Sequence, residues 1–219
     1  MNAIAAIAIA LLSSTPDPNT TVARGLKWLA EKQNKDGTWE SNGDFLKVNV
    51  TSYAGLALLM QGSTLQEGPY SANLRLAVGW FEKIAQPSGL LVPTDDPTEE
   101  GRYMQSHCAA ILFLASAYDA DGDNDHRKRL QKILDRAVAF AIEGQTPRGG
   151  WGFVSSREGG GNDETPSTVF MVQALLAASG AAHKSCNKFG SSVMLRIGPC
   201  GRHPHAWSKT PLADHLGSR

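Results

Sequence analysis

Three side chains, His107, Asp163 and Glu164, are the candidates for proton chemistry in this chain. Asp163 and Glu164 are adjacent carboxyl groups in the Gly-rich stretch GGGNDET, just ahead of an apolar run. Paired carboxylates are what general acid–base catalysis requires, one holding a proton that the other helps to place. The same pair also suits an acidic loop leading into a helix N-terminus, where negative charge is favoured. His107 opens the apolar stretch SHCAAILFLASAY. An imidazole there can exchange protons near neutrality, or it can be a buried ring held by hydrogen bonds. No Ser–His–Asp arrangement is legible.

The metal-binding types are poorly spaced. Cys186, Cys200, His203 and His205 form a loose C-x13-C-x2-H-x-H array, wider than the paired spacing of zinc sites. Asp119–Asp125, reading DADGDND, has the acidity of a calcium loop but lacks Gly at its sixth position and Glu at its twelfth. A solvated turn ahead of a helix is the simpler expectation for it. The basic run His126–Arg129 follows directly and reads as a solvated helix face. Three cysteines make no disulfide framework, and Cys108 reads as a small core residue. We expect no metal and no cofactor.

The elements that must position these residues are helical and recur. Gln33–Trp39 reads QNKDGTW and Gln145–Trp151 reads QTPRGGW, two copies of Q-x-x-x-G-x-W. The glutamines are 112 residues apart, twice 56, and Gln86-Pro87-Ser88-Gly89 stands between them without a Trp. Before each turn lies an amphipathic pattern, with apolar residues such as Val22, Leu26 and Leu29 on one helix face. After each turn comes a stretch that is apolar nearly all round, TSYAGLALLMQ, SHCAAILFLASAY or STVFMVQALLAA. Thr51, Ser106 and Ser167 are the expected N-caps of these second helices. The pattern predicts an all-α fold, an incomplete α/α toroid of about three helix–turn–helix repeats with the apolar helices inside. In the turn, Gly permits a positive φ, Trp covers the junction, and the Gln amide bonds free helix-end groups.

These motifs resemble the QW motifs of the squalene–hopene and oxidosqualene cyclases. The wider sequence is similar to the prenyltransferase/squalene-oxidase repeat superfamily, whose fold is an α/α toroid. Gln33, Gly37, Trp39, Gln145, Gly149 and Trp151 are the structural QW residues in that resemblance. It covers about residues 21–182 and lies nearest to bacterial repeat proteins without an assigned reaction. The cyclases protonate an alkene or epoxide with the acid of a D-x-D-D-T-A motif. The matching residues here are Glu164-Thr165-Pro166-Ser167-Thr168-Val169, with Pro166 at the proton-donor position. The prenyltransferases hold a zinc ion with Asp, Cys and His, and Asp163 has no Cys to join it before Cys186. The resemblance therefore implies a binding or scaffold module for an apolar, isoprenoid-like small molecule or a protein partner. The alternative is a terpene cyclase or prenyltransferase-type enzyme, present as a fragment.

Composition divides the 219 residues into unlike parts. Residues 1–180 hold 15 basic and 20 acidic side chains, whereas residues 181–219 hold 6 and 1, so the overall balance of zero is the sum of two opposite charges. We read residues 1–20 as an apolar leader, 21–182 as the repeat domain and 183–219 as an irregular basic tail. A shifted or truncated reading frame near residue 182 would account for that tail, since a fourth outer helix is expected there. Ala3–Leu12 has the length of a signal-peptide core, without a basic n-region or a clear cleavage site. Two locations follow: a secreted or periplasmic protein if the leader directs export, a cytoplasmic one if it packs on the domain. No apolar run reaches membrane-spanning length, and the charge balance gives no footprint for nucleic acid.

Overall fold

The computed structural model describes residues 17–41, 46–93, 95–159 and 162–185. The segments read as leader and tail therefore lie almost wholly outside the described residues. Among the described residues the chain is all-helical, with six α-helices and no strand: α1 Pro18–Glu31, α2 Lys47–Met60, α3 Ser71–Ile84, α4 Tyr103–Asp119, α5 Asn124–Glu143 and α6 Thr165–Ser185. A 3-10 turn spans Ser156–Glu158. No helix among them is long and apolar enough to cross a membrane.

Local sequence starts the helices in two ways. Asp17 caps α1 by accepting from the Thr20 amide at 3.0 Å, with Pro18 supplying a helix-ready φ at the first position. Asp123 caps α5 by accepting from the Asp125 and His126 amides at 2.9 and 3.2 Å. By contrast α2 and α4 begin without a side-chain cap, at Leu46 and Arg102. Thr51, Ser106 and Ser167 are thus not N-caps: each lies inside its helix and is buried.

Helix α4 packs between α2 and α6, so these three form an inner row, while α3 lies against α2 and α4 and α5 against α4 and α6. Their composition explains the division. Twelve of the seventeen residues of α4 are buried, including Ile111, Phe113 and Leu114, as expected of a helix with no polar face. In α5 only Leu130, Ile133, Leu134, Ala137, Val138 and Ala141 are buried, a single stripe. Phe81 of α3 reaches Phe113 of α4 with ring centroids 5.6 Å apart.

One set of hydrogen bonds recurs at three turns. The Asn34 amide donates to Thr38 O, the Gln86 amide to Leu90 O and the Thr146 amide to Gly150 O, at 2.9, 3.0 and 3.0 Å. Inside them Gly37, Gly89 and Gly149 adopt φ of 97°, 96° and 94°, and their numbers differ by 52 and 60. The spacing is therefore unequal, and 56 is only its mean. Gln86 aligns with Asn34 and Thr146, not with Gln33 and Gln145, so it is one position out of the register that its residue type suggests. The residue after each turn also matches. Trp39 and Trp151 are buried and donate their indole N–H to Leu29 O and Ala141 O, both at 2.7 Å. Their main-chain amides donate to the hydroxyls of Thr51 and Thr168, both at 3.0 Å. At the middle turn Leu91 takes the Trp position, and its amide donates to the His107 ring.

Candidate functional site

The three expected proton carriers are not brought together. His107 is fully buried in α4, and its Nδ1 accepts from the Leu91 amide at 3.2 Å. Its Nε2 lies 3.1 Å from the Ala137 carbonyl, so the ring is neutral with the proton on Nε2. Burial pulls its pKa down to about 4. The ring thus ties the second turn to α5 and reaches no cavity through a free nitrogen. Asp163 accepts from the Thr146 hydroxyl at 2.5 Å and the Arg148 guanidinium at 2.8 Å. These bonds, Thr146 first, hold its carboxyl below the usual range. Asp163 clamps the third turn as a charged side chain. Glu164 contributes its amide to Trp151 O at 2.9 Å and is half-buried.

The Asp119–Asp125 segment is likewise committed. Asp121 is buried, and its oxygens accept from Gln66 Nε2, the Asp123 amide and His126 Nδ1 at 2.5, 2.9 and 2.5 Å. His126 also meets Glu82 of α3 at 3.3 Å, so this network joins the start of α5 to the α2–α3 loop and to α3. Among the described residues no three His, Cys, Asp or Glu side chains converge as metal ligands. The Cys186, Cys200, His203 and His205 array lies outside the described residues. Cys108 is buried, with burial pushing its thiol up to about 12, and donates to Gln105 O.

Two features remain for binding. The first is the α6 end of the inner row. Gly37 rests on α3, where an added β-carbon would stand 2.3 Å from Leu76 O, and Gly89 rests on α5, where it would stand 2.2 Å from Arg136 O. Gly149 has the same φ, yet no described residue lies within 4 Å of its β-carbon position. Gln33 donates to Gly37 O and also to Asn73 O of α3, both at 2.9 Å, and accepts from Asn73 Nδ2 at 2.7 Å. Gln145 repeats the bond to its own turn, Gly149 O at 2.8 Å, but is exposed. On α6 itself Val169, Val172 and Leu176 lie on one face of the helix at 47%, 44% and 68% exposure. On the neighbouring face Phe170 meets Tyr53 of α2 edge-on at 6.5 Å.

The second feature is a cleft of about 610 Å³ between the α3–α4 loop, the first residue of α4 and the α5–α6 loop. Glu99 lines it and is 2% exposed, with both carboxylate oxygens accepting no hydrogen bond from a described residue. Burial pushes its carboxyl up to about 7, and neighbouring Asp96 adds to the shift. The Ser106 hydroxyl is close enough to favour the charged form but lies outside hydrogen-bond geometry. Sequence reasoning passed over Glu99, whose one signal was the density of acids in Asp95–Glu100. Compared with known proteins, the chain matches no family model, no curated protein and no solved structure.

Proposed function

We propose that this chain is an arc of an α/α toroid, three helix pairs long, that works as a binding module and takes a helix of a protein partner on its α6 end. The observation that carries this reading is the difference between Gly149 and its two counterparts. Gly37 and Gly89 each support the main chain of the next outer helix, and at Gly149 no described residue occupies the same surface. Gln145, bonded to Gly149 O, is exposed, and α6 carries the exposed Val169, Val172 and Leu176 stripe. An amphipathic helix shaped like α3 would supply a close main chain, an amide for Gln145 and an apolar face. The enzyme reading loses support because His107 and Asp163 are spent on turn geometry.

A peptide of the α3 sequence, Ser71–Ile84, cross-linked on its outer side to hold it helical, provides the test. Fluorescence anisotropy should show saturable micromolar binding that a Val172→Asp/Leu176→Asp variant loses. Absence of binding to the parent protein would reject the reading. A second reading rests on the exposed Tyr53–Phe170 pair, which offers an isoprenoid-like ligand an apolar patch on the inner row. Farnesol binding that survives the α6 substitutions and fails in Phe170→Ser would favour it.

A further inference from the structure

The cleft beside Glu99 has an electrostatic character that the helix-docking end lacks. Its lining carries five carboxyl groups, Asp95, Asp96, Glu99, Glu100 and Glu158, and no Lys or Arg. Arg157, next to Glu158, is turned to Glu143 at 2.7 Å. Arg102 stands near enough to favour a charged Glu99 but forms no ion pair with it. Four of the acids lie exposed or half-exposed at the rim, whereas Glu99 is almost wholly enclosed.

An enclosed carboxylate normally accepts hydrogen bonds, because leaving it without donors costs the desolvation of a charge. Glu99 accepts none from any described residue, so only donors from water or a ligand can satisfy its charged form. A divalent metal ion fits poorly, because no three acidic or imidazole ligands converge among the described residues. Asp96 is moreover turned to its own loop, accepting from the Thr98 amide and hydroxyl at 2.9 and 2.7 Å. An ammonium group fits better, since its N–H donors can be shared between one buried carboxylate and scattered rim acids. The remaining walls, Leu90, Val92, Pro93 and Val154, are apolar and suit the methylene stem of such a ligand. Tyr103 forms a fixed edge, its hydroxyl accepting from the Ser155 amide at 2.9 Å.

We propose that this cleft binds a small alkyl polyamine, one ammonium group received by Glu99 and the other held by the acids of the rim. The site is separate from the α6 end and does not depend on the function proposed for that end. The titratable and charged groups around the cleft are Glu99 itself, Asp95, Asp96 and Glu100 from the same loop, Arg102 and Tyr103 at the start of α4, and Glu158 opposite.

Isothermal titration calorimetry with putrescine, at fixed ionic strength and pH 7, tests this on the full chain. Saturable binding is expected, weakened about tenfold or more by Glu99→Gln. A Glu158→Gln variant, altered only at the exposed rim, should weaken it by a smaller factor. Thermal melts establish that both variants are folded. Titrations in two buffers of different ionisation enthalpy should also show proton release on binding, because a bound cation holds Glu99 charged. Binding by Glu99→Gln equal to the parent would overturn the proposal. So would displacement of putrescine by an equal concentration of Mg2+, since that marks diffuse attraction between charges. Absence of heat up to millimolar putrescine would overturn it as well.

Discussion

The α-carbon of Gly89 lies so close to Arg136 that a β-carbon there would stand 2.2 Å from the Arg136 carbonyl oxygen. Turn and outer helix are therefore in main-chain contact, and Gly37 stands in the same relation to Leu76. Any side chain at either position meets two obstacles, a positive φ and a helix backbone that cannot retreat cheaply. Gly37→Ala and Gly89→Ala should each cost about 2–4 kcal/mol in urea unfolding. Gly149→Ala carries only the conformational cost, about 1 kcal/mol. Equal losses at all three positions would contradict the open space at Gly149.

Trp39 and Trp151 close their turns with buried indoles that donate to the preceding helix. Replacement of either by Ala should cost about 3–5 kcal/mol. Thr51→Val and Thr168→Val keep the shape and remove the hydroxyl that accepts from the Trp amide, for a loss of about 1–2 kcal/mol. Thermal melts that show no change in the Trp variants would remove the turns from the account of stability.

His107 and Glu99 give opposite pH dependences. His107 has a folded pKa of about 4 against 6.5, so the unfolded chain binds more protons and stability falls as pH drops below 6.5. Glu99 has a folded pKa of about 7 against 4.5, so the folded chain binds more protons and stability falls as pH rises from 4.5 to 7. Between pH 4.5 and 6.5 the two contributions oppose each other. Glu99→Gln should remove one of them and leave stability rising with pH across that window. It should also stabilise the protein at pH 8, by about 1–3 kcal/mol, by deleting a buried charge that has no donors. A Glu99→Gln profile parallel to that of the parent would show that Glu99 does not titrate as described.

Asp163 and Glu164 bear on the enzyme alternative. Incubation with squalene or prenyl diphosphates should give no cyclised or transferred product, and Asp163→Asn should loosen the third turn by weakening its bonds to Thr146 and Arg148. Turnover by the parent that disappears in Asp163→Asn/Glu164→Gln would restore the enzyme reading.

Helical periodicity made the six helices legible, because α1, α3 and α5 carry single apolar stripes while α2, α4 and α6 are apolar nearly all round. The starts of the inner helices were not legible. Thr51 and Ser106 are good N-cap types, but α2 and α4 begin earlier without a capping side chain, and the Thr51 hydroxyl serves Trp39 instead. The register of the middle turn was hidden for a related reason. Gln86 resembles Gln33 by type, whereas its amide does the work of Asn34. Glu99 carried no signal beyond the density of acids around it, since its enclosure arises from packing between loops far apart in sequence. The roles of His107 and Asp163 depend on partners 15 to 30 residues away, which spacing alone does not reveal.

Amide hydrogen exchange, with and without the cross-linked α3 peptide, tests the central claim most directly. Docking on the α6 end predicts added protection confined to residues 149–151 and 169–176. Protection elsewhere, or none at peptide saturation, would contradict it.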